Sequence, residues 1–498
     1  MNTMDKPRAQ TGGALRRYRW HIRAGALLIL VVAGVASLPV MFLYFAGGLR
    51  GGSPAADTGF VIPAEKPGPV AFINVTVVPM DRERLLPGQT VVVRDGRIAE
   101  IGPADRVRVP DGAQRIDGAG KFLLPGLTDA HFHLQASDGT DRQLLQILVA
   151  NGVTSILNLY GTRSILDLRE HVARGEVLGP AIYTSGPYIS DAPRWQPQAE
   201  EVERLVVEQK RAGYDLIKTH GDFSREAFRR LFTVARREKI KVIGHAPRNL
   251  GVEPMFEERM DAVAHGEEFI YAYFFFNAPP GMQQADHETR QRFLAGAEKR
   301  IPELAAATAK SGSWVVPNLV AYKMIVEQGK DLAPVLARPE VRFVPGRVAE
   351  DWQPGRNRYD RNYTPEIAEH MTWRLNLLSK LTAAFRAAGV RLLAGTDAPI
   401  PGVVPGFSMH DELKLLVEAG LTPYEALRAA TANPAEFLGR PGEFGTVAVG
   451  ARADLLLVEG DPLRDVGNAA RRTGVLVRGR WLAESELRAM LESIAARQ

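Results

Sequence analysis

No cysteine occurs among the 498 residues, which excludes disulfides, a thiolate metal site and a thiol nucleophile. That absence suits cytosol and periplasm equally. A basic surface for nucleic acid is also missing, although the chain carries a net charge of +5. Residues 1–23 hold Lys6, Arg8, Arg16, Arg17, Arg19 and Arg23 against Asp5 alone, and this accounts for the whole excess. The rest of the chain is neutral overall, so no nucleic-acid partner is expected. Nothing in the composition points to dominant disorder: 45% of residues are hydrophobic and 24% charged, ample for a large buried core. No internal repeat at a fixed period is visible.

Charge is absent again from Ala24 to Gly48 (AGALLILVVAGVASLPVMFLYFAGG). As a helix this stretch would run about 37 Å at 1.5 Å per residue, enough to cross a bilayer core of about 30 Å. It is longer than the apolar part of a cleaved signal peptide, and bulky Phe42, Leu43, Tyr44 and Phe45 close it. Arg16-Arg17 resembles a twin-arginine signal, but Tyr18, Arg19 and Trp20 follow it. Residues 24–48 are therefore predicted to be an uncleaved transmembrane helix. The positive-inside rule places residues 1–23 in the cytoplasm and the bulk of the chain outside it, periplasmic or extracellular.

Residues 49–67 are rich in Gly, Pro and Ala and read as a linker. From Val70 short β segments alternate with turns, Asp95-Gly96 being a hairpin signal, and the same kind of text returns only in ADLLLVEGD and GVLVRGRWL near the C-terminus. Segments 68–125 and 441–485 are thus predicted to build one small β-sandwich from both ends of the chain. Between them, 126–440 alternates apolar β runs with amphipathic helical runs, the pattern of an α/β fold and specifically a (β/α)8 barrel. Strand ends are predicted near His133, Asn158, Thr184, Lys218, His245, His265, Val316 and Asp397. The long gap between Val316 and Asp397 is expected to hold an insertion serving as a lid.

Chemistry gathers at those strand ends, the face on which barrel enzymes work. His131 and His133, at i and i+2 after a Pro-Gly turn, share one face of a strand and can grip one cation. Lys218 lies in YDLIKTH, where an ammonium facing a barrel interior is costly unless paired or chemically changed. Adding carbon dioxide to the neutral amine gives an anionic carbamate whose two oxygens can bridge two cations. His245 closes KVIGH, His265 closes DAVAH, and Asp397 lies in LLAGTDAP. His220, on the Lys218 face, and Arg248, just past His245, are candidate substrate contacts. The run Phe269 to Phe276 suits core packing, an apolar pocket or a membrane patch. His410 and Glu412 in MHDEL read as structural.

The set LLPGLTDAHFHL, Lys218, His245, His265, AGTDAP and the C-terminal GTVAVGARADLLLVEGDPL resembles the amidohydrolase superfamily, in its imidazolonepropionase-like and prolidase-like branch. The likeness runs from about residue 70 to 482. It implies a binuclear centre in which His131, His133 and Asp397 hold one ion and His245 and His265 the other, with carboxylated Lys218 bridging. Zinc suits these ligands, and manganese, cobalt and iron are also compatible. The implied reaction is attack of a metal-bridging hydroxide on the scissile carbonyl of a dipeptide or N-acyl amino acid, with catalytic Asp397 accepting the proton and passing it to the leaving amine as the C–N bond breaks. Ester, lactone or phosphoester cleavage by the same centre is the alternative, and a non-hydrolytic binding or isomerising barrel a second one. The third-strand text SGPYISDAPRWQP, the sequence His245-Ala246-Pro247-Arg248 and insertions at 269–310 and 318–390 depart from the family pattern, so the substrate is the least determined part. An oligomer is left open.

Overall fold

Apolar β-branched runs and turns organise the first part of the chain as expected. The computed structural model describes residues 67–135, 138–191, 195–282 and 287–497. The expected tail at 1–23, span at 24–48 and almost all of the linker at 49–67 lie outside the described residues. Among the described residues, no helix is long and apolar enough to cross a membrane. Strands β1 (Val70–Val77), β2 (Leu86–Arg94), β3 (Arg97–Pro103), β4 (Gln114–Asp117) and β5 (Phe122–Pro125) come first. Asp95 and Gly96 join β2 to β3 with φ of 51° and 72°, the left-handed pair a two-residue hairpin requires.

Parallel strands follow. β6 (Leu127–Phe132), β7 (Val153–Asn158) and β8 (Ala181–Thr184) make one sheet. β9 (Leu216–Thr219), β10 (Lys241–Gly244), β11 (Ala262–Ala264) and β12 (Trp314–Val316) make another. Every residue of β6, β7, β9, β11 and β12 is buried, as in parallel sheets covered on both faces. The helices between them are amphipathic. Arg225–Glu238 starts at Ser224, whose side chain accepts from Ala227 N–H, and it buries Phe228, Leu231, Phe232 and Ala235 at three- and four-residue spacing.

A parallel bridge between Ser185 and Leu216 links the two sheets, and others join Val315 to Leu392 and Phe132 to Ala398. The eighth strand expected before Asp397 is accordingly not a regular ladder but a segment held by single bridges. Gly395 permits its approach to β6, since a Cβ there would lie 2.8 Å from the backbone nitrogen of His131. The expected insertion between Val316 and Asp397 is largely helical: Leu319–Lys330 and Pro365–Ala387 flank four shorter helical segments.

The chain returns through β13 (Leu455–Val458), β14 (Arg472–Val477) and β15 (Arg480–Ala483). β13 pairs antiparallel with β5, setting Leu455 opposite Pro125, so both ends of the chain share one sheet. The strands of the expected β-sandwich are hydrogen-bonded in one eight-stranded order, β15-β14-β13-β5-β1-β2-β3, with β4 beside β1. A flat sheet would hold β1 and β15 about 19 Å apart at roughly 4.8 Å per strand. Yet the rings of Phe72 and Trp481 stand 5.3 Å apart, edge to face. The sheet therefore curls over its own core of Phe72, Val91, Leu455 and Leu476, and the curl follows from strand twist.

Candidate metal centre

His131 is the penultimate residue of β6, and His133 lies one residue beyond its end. Their Nε2 atoms are 3.2 Å apart. Asp397 Oδ1 stands 3.2 Å from the first and 3.0 Å from the second. Ligand bonds of about 2.0–2.2 Å at tetrahedral to octahedral angles space donor atoms about 2.8–3.6 Å apart, so these three fit one divalent ion. They form the group of potential metal ligands that closes within 4.8 Å among the described residues. Lys218 Nζ lies 3.5 Å from His131 Nε2 on a side chain that is 1% exposed. The ring of His265 is 4.4 Å from that of His131 and 4.9 Å from that of His245. All six expected ligands thus meet in one place, three of them converging on a point and three ranged beside it.

Electrostatics favours ligand forms. Burial holds the imidazoles of His131 and His245 well below their ordinary range and that of His265 at about 3, leaving them neutral as metal binding requires. Burial also brings the Lys218 ammonium down to about 8, against the pull of Asp397 and Glu268. Burial alone would raise the Asp397 carboxyl, but His131, His265 and His133 around it hold it far below the usual carboxylate range.

The backbone is strained at the same place. His265, Asn318 and Asp397 have φ of 71°, 53° and 61°, a conformation that costs non-glycine residues and clusters at functional sites. Three further residues support the ligands and were not foreseen. Asp129 accepts from the backbone N–H of His131 at 3.1 Å and from both the N–H and the hydroxyl of Thr396. Asn318 Oδ1 lies 3.2 Å from His131 Nδ1 and 3.2 Å from His265 N. Glu268, wholly buried, lies 3.5 Å from His245 Nδ1.

Of the two candidate substrate contacts, His220 stands within the site. Its ring is 4.6 Å from that of His245 and stacks on Tyr188 at 4.3 Å and 6°, while Nδ1 is 3.3 Å from Asp191. Arg248 is not a free cation: Nη2 and Nε donate to Glu268 at 2.5 and 3.0 Å. Its guanidinium also covers the Tyr271 ring at 4.1 Å. The aromatic run is mostly core, with Phe269, Ile270, Ala272, Tyr273 and Phe274 buried. Ile270–Phe275 forms a π-helical turn that swings Tyr271 toward Arg248. His410 is structural as expected, its Nε2 donating to the Asn151 carbonyl at 3.0 Å.

Comparison with known proteins gives the same picture. The amidohydrolase family model matches residues 122–482. An adenine deaminase from Rubrobacter xylanophilus is 32% identical over 111 residues, 20% of this chain and 18% of that relative. The chain spans less than a quarter of the length of the curated relatives it matches. Among solved structures, bottromycin amidohydrolase superposes with a TM-score of 0.69 at 25% identity, over 87% of this chain and 91% of that one. A Xaa-Pro dipeptidase with bound methionine in its active site shares the fold at a TM-score of 0.62 and 18% identity, over 84% and 100%.

Proposed function

The chain belongs to the amidohydrolase family and is a hydrolase, and within that family we propose that it cleaves C–N bonds of dipeptides or N-acyl amino acids at a binuclear centre. The observation that carries this reading is the spacing of His131 Nε2, His133 Nε2 and Asp397 Oδ1 at 3.0–3.2 Å. In it these three residues would hold one divalent ion and His245 and His265 the other, with zinc the ion that suits the donors. Lys218, buried beside His131, would join them as a carbamate, formed by attack of its neutral amine on carbon dioxide with loss of a proton, and would supply two anionic oxygens as further ligands. Bound divalent ions supply Lewis acidity, which eases ionisation of water and polarises a carbonyl. The Asp397 carboxylate accepts the proton released by the attacking water and returns it to the leaving amine. His220, whose ring lies 4.6 Å from that of His245, and Arg248, held in place by Glu268, orient the substrate. The (β/α)8 barrel belongs to the same proposal, supported by the bridges that join β8 to β9, β12 to Leu392 and Ala398 to Phe132.

Metal analysis of the purified protein, alongside a screen of dipeptides and N-acyl amino acids, tests the reading. About two ions per chain and release of a free amine are expected. A protein that carries no divalent ion, or that turns over esters but no amides, would overturn it.

The charge pattern of residues 1–48 supports a companion proposal: a single membrane span with the hydrolase outside the cytoplasm. A reporter that works only outside the cytoplasm, fused after Gln498, should be active. Activity of a cytoplasm-only reporter at that position would sink the proposal.

A further inference from the structure

We infer that Asn318 is a positioning residue that fixes the tautomer of His131 and ties it to the loop carrying His265. The inference rests on the metal-centre reading above. Asn318 follows β12 and directly precedes the helix Leu319–Lys330, where an Asn ordinarily turns its side-chain oxygen onto the first N–H groups of its own helix. Here it makes no such bond. Instead Glu412 Oε2, from the helix Phe407–Glu418, accepts the Val320 N–H at 2.7 Å. A distant carboxyl thus caps the helix, and the Asn318 side chain serves elsewhere.

Where it goes is chemically determined. The backbone N–H of His265 can only donate, so the Asn318 atom 3.2 Å from it is the carbonyl oxygen Oδ1. That same oxygen stands 3.2 Å from His131 Nδ1. Since a carboxamide oxygen only accepts, Nδ1 carries the imidazole proton. The ring lone pair is then on Nε2, the atom that faces His133 Nε2, Asp397 Oδ1 and Lys218 Nζ. Asn318 Nδ2 is buried without a partner among the described residues, so this side chain is engaged through its oxygen alone. Its φ of 53° is one that Asn tolerates better than most residues. One oxygen therefore sets which nitrogen of His131 can bind an ion and pins the turn from which His265 enters.

Two substitutions in the full, metal-loaded chain separate this role from a packing role. Asn318→Asp keeps an acceptor, whereas Asn318→Gly keeps the left-handed backbone and removes the acceptor. In chelator competition Asn318→Gly should hold metal about 10–100-fold less tightly, and Asn318→Asp should hold it at or above the wild-type level. The rise in melting temperature on metal loading should shrink in Asn318→Gly and persist in Asn318→Asp. Equal metal retention in wild type and Asn318→Gly, or equal loss in both variants, overturns the inference. Should Asn318→Gly not fold, imidazole nitrogen NMR of the stripped wild type decides: a proton on Nδ1 of His131 is expected, and one on Nε2 refutes it. A wild type that binds no metal would instead refute the metal-centre reading itself.

Discussion

Thr396 donates its backbone N–H to one carboxyl oxygen of Asp129 and its hydroxyl to the other. Because Asp129 Oδ1 also receives the N–H of His131, the pair locks the segment carrying His131 and His133 to the residue next to Asp397. His131 and His133 are thereby held in register with Asp397, more than 260 residues later in the chain. Thr396→Val keeps the shape but removes the hydroxyl, leaving a buried oxygen of Asp129 short of a partner. A loss of about 1–3 kcal/mol is expected in urea unfolding, with Thr396→Ser close to wild type. Equal stability of Thr396→Val and wild type would show that the second bond contributes nothing.

Arg248 and Glu268 form a second such unit, but one that involves charge. Glu268 is fully buried and Arg248 only partly so. Arg248→Ala would leave a carboxylate in the interior without its partner, at a cost of about 3–5 kcal/mol. Removing both charges in Arg248→Met with Glu268→Leu should cost less than Arg248→Ala alone. Thermal or denaturant unfolding of the three proteins measures this. If the double variant is the least stable, the coupling assigned to the pair is wrong.

Lys218 offers a direct test of the bridging role. Lys218→Ala should lower metal occupancy and activity together, and added short-chain carboxylates should restore part of both by supplying oxygens in place of the carbamate. Metal content by mass spectrometry and turnover of a dipeptide read the two effects. Wild-type occupancy in Lys218→Ala would reduce the lysine to a buried strand residue.

The residues that gather at the candidate centre were legible because they are polar residues at or near the ends of apolar strands, a contrast that local sequence preserves. Their supports were not. Asn318 lies two residues past β12, yet an Asn before a helix has an ordinary explanation as an N-cap, and only the 2.7 Å bond from Val320 to Glu412 removes it. Glu268 is marked by nothing local, since its partner Arg248 lies on another loop and Glu267 beside it is equally acidic. The single curled sheet was also out of reach: strand text predicts strands, but the contact of Phe72 with Trp481 depends on accumulated twist. The last parallel segment was read as a strand because AGTDAP follows apolar residues, whereas it is held only by single bridges at Leu392 and Ala398.

Glu412 connects this local architecture to pH. It is fully buried, and burial raises its carboxyl to about 8, against the lowering effect of the Val320 and Leu319 N–H groups it receives. The folded chain therefore keeps this proton at pH values where the unfolded chain has released it. Below the ordinary value of 4.5 both states are protonated and the contribution to stability is complete. As pH rises from there toward about 8, the unfolded state gains by ionising, and the folded state loses stability at up to about 1.4 kcal/mol per pH unit. Above that range the slope from this group vanishes. Glu412→Gln cannot ionise, and its amide oxygen can still accept the Val320 N–H. The stability of the variant relative to wild type should thus climb between pH 5 and 8 and level off beyond. Taking the difference cancels most other titrations; the neighbour that Glu412 feels is Asp129, whose own carboxyl burial raises to about 7. Unfolding free energies that run parallel across this range would mean Glu412 is ionised in the folded chain. In that case the cap on Leu319–Lys330, which leaves Asn318 free to serve His131, would be a charged one.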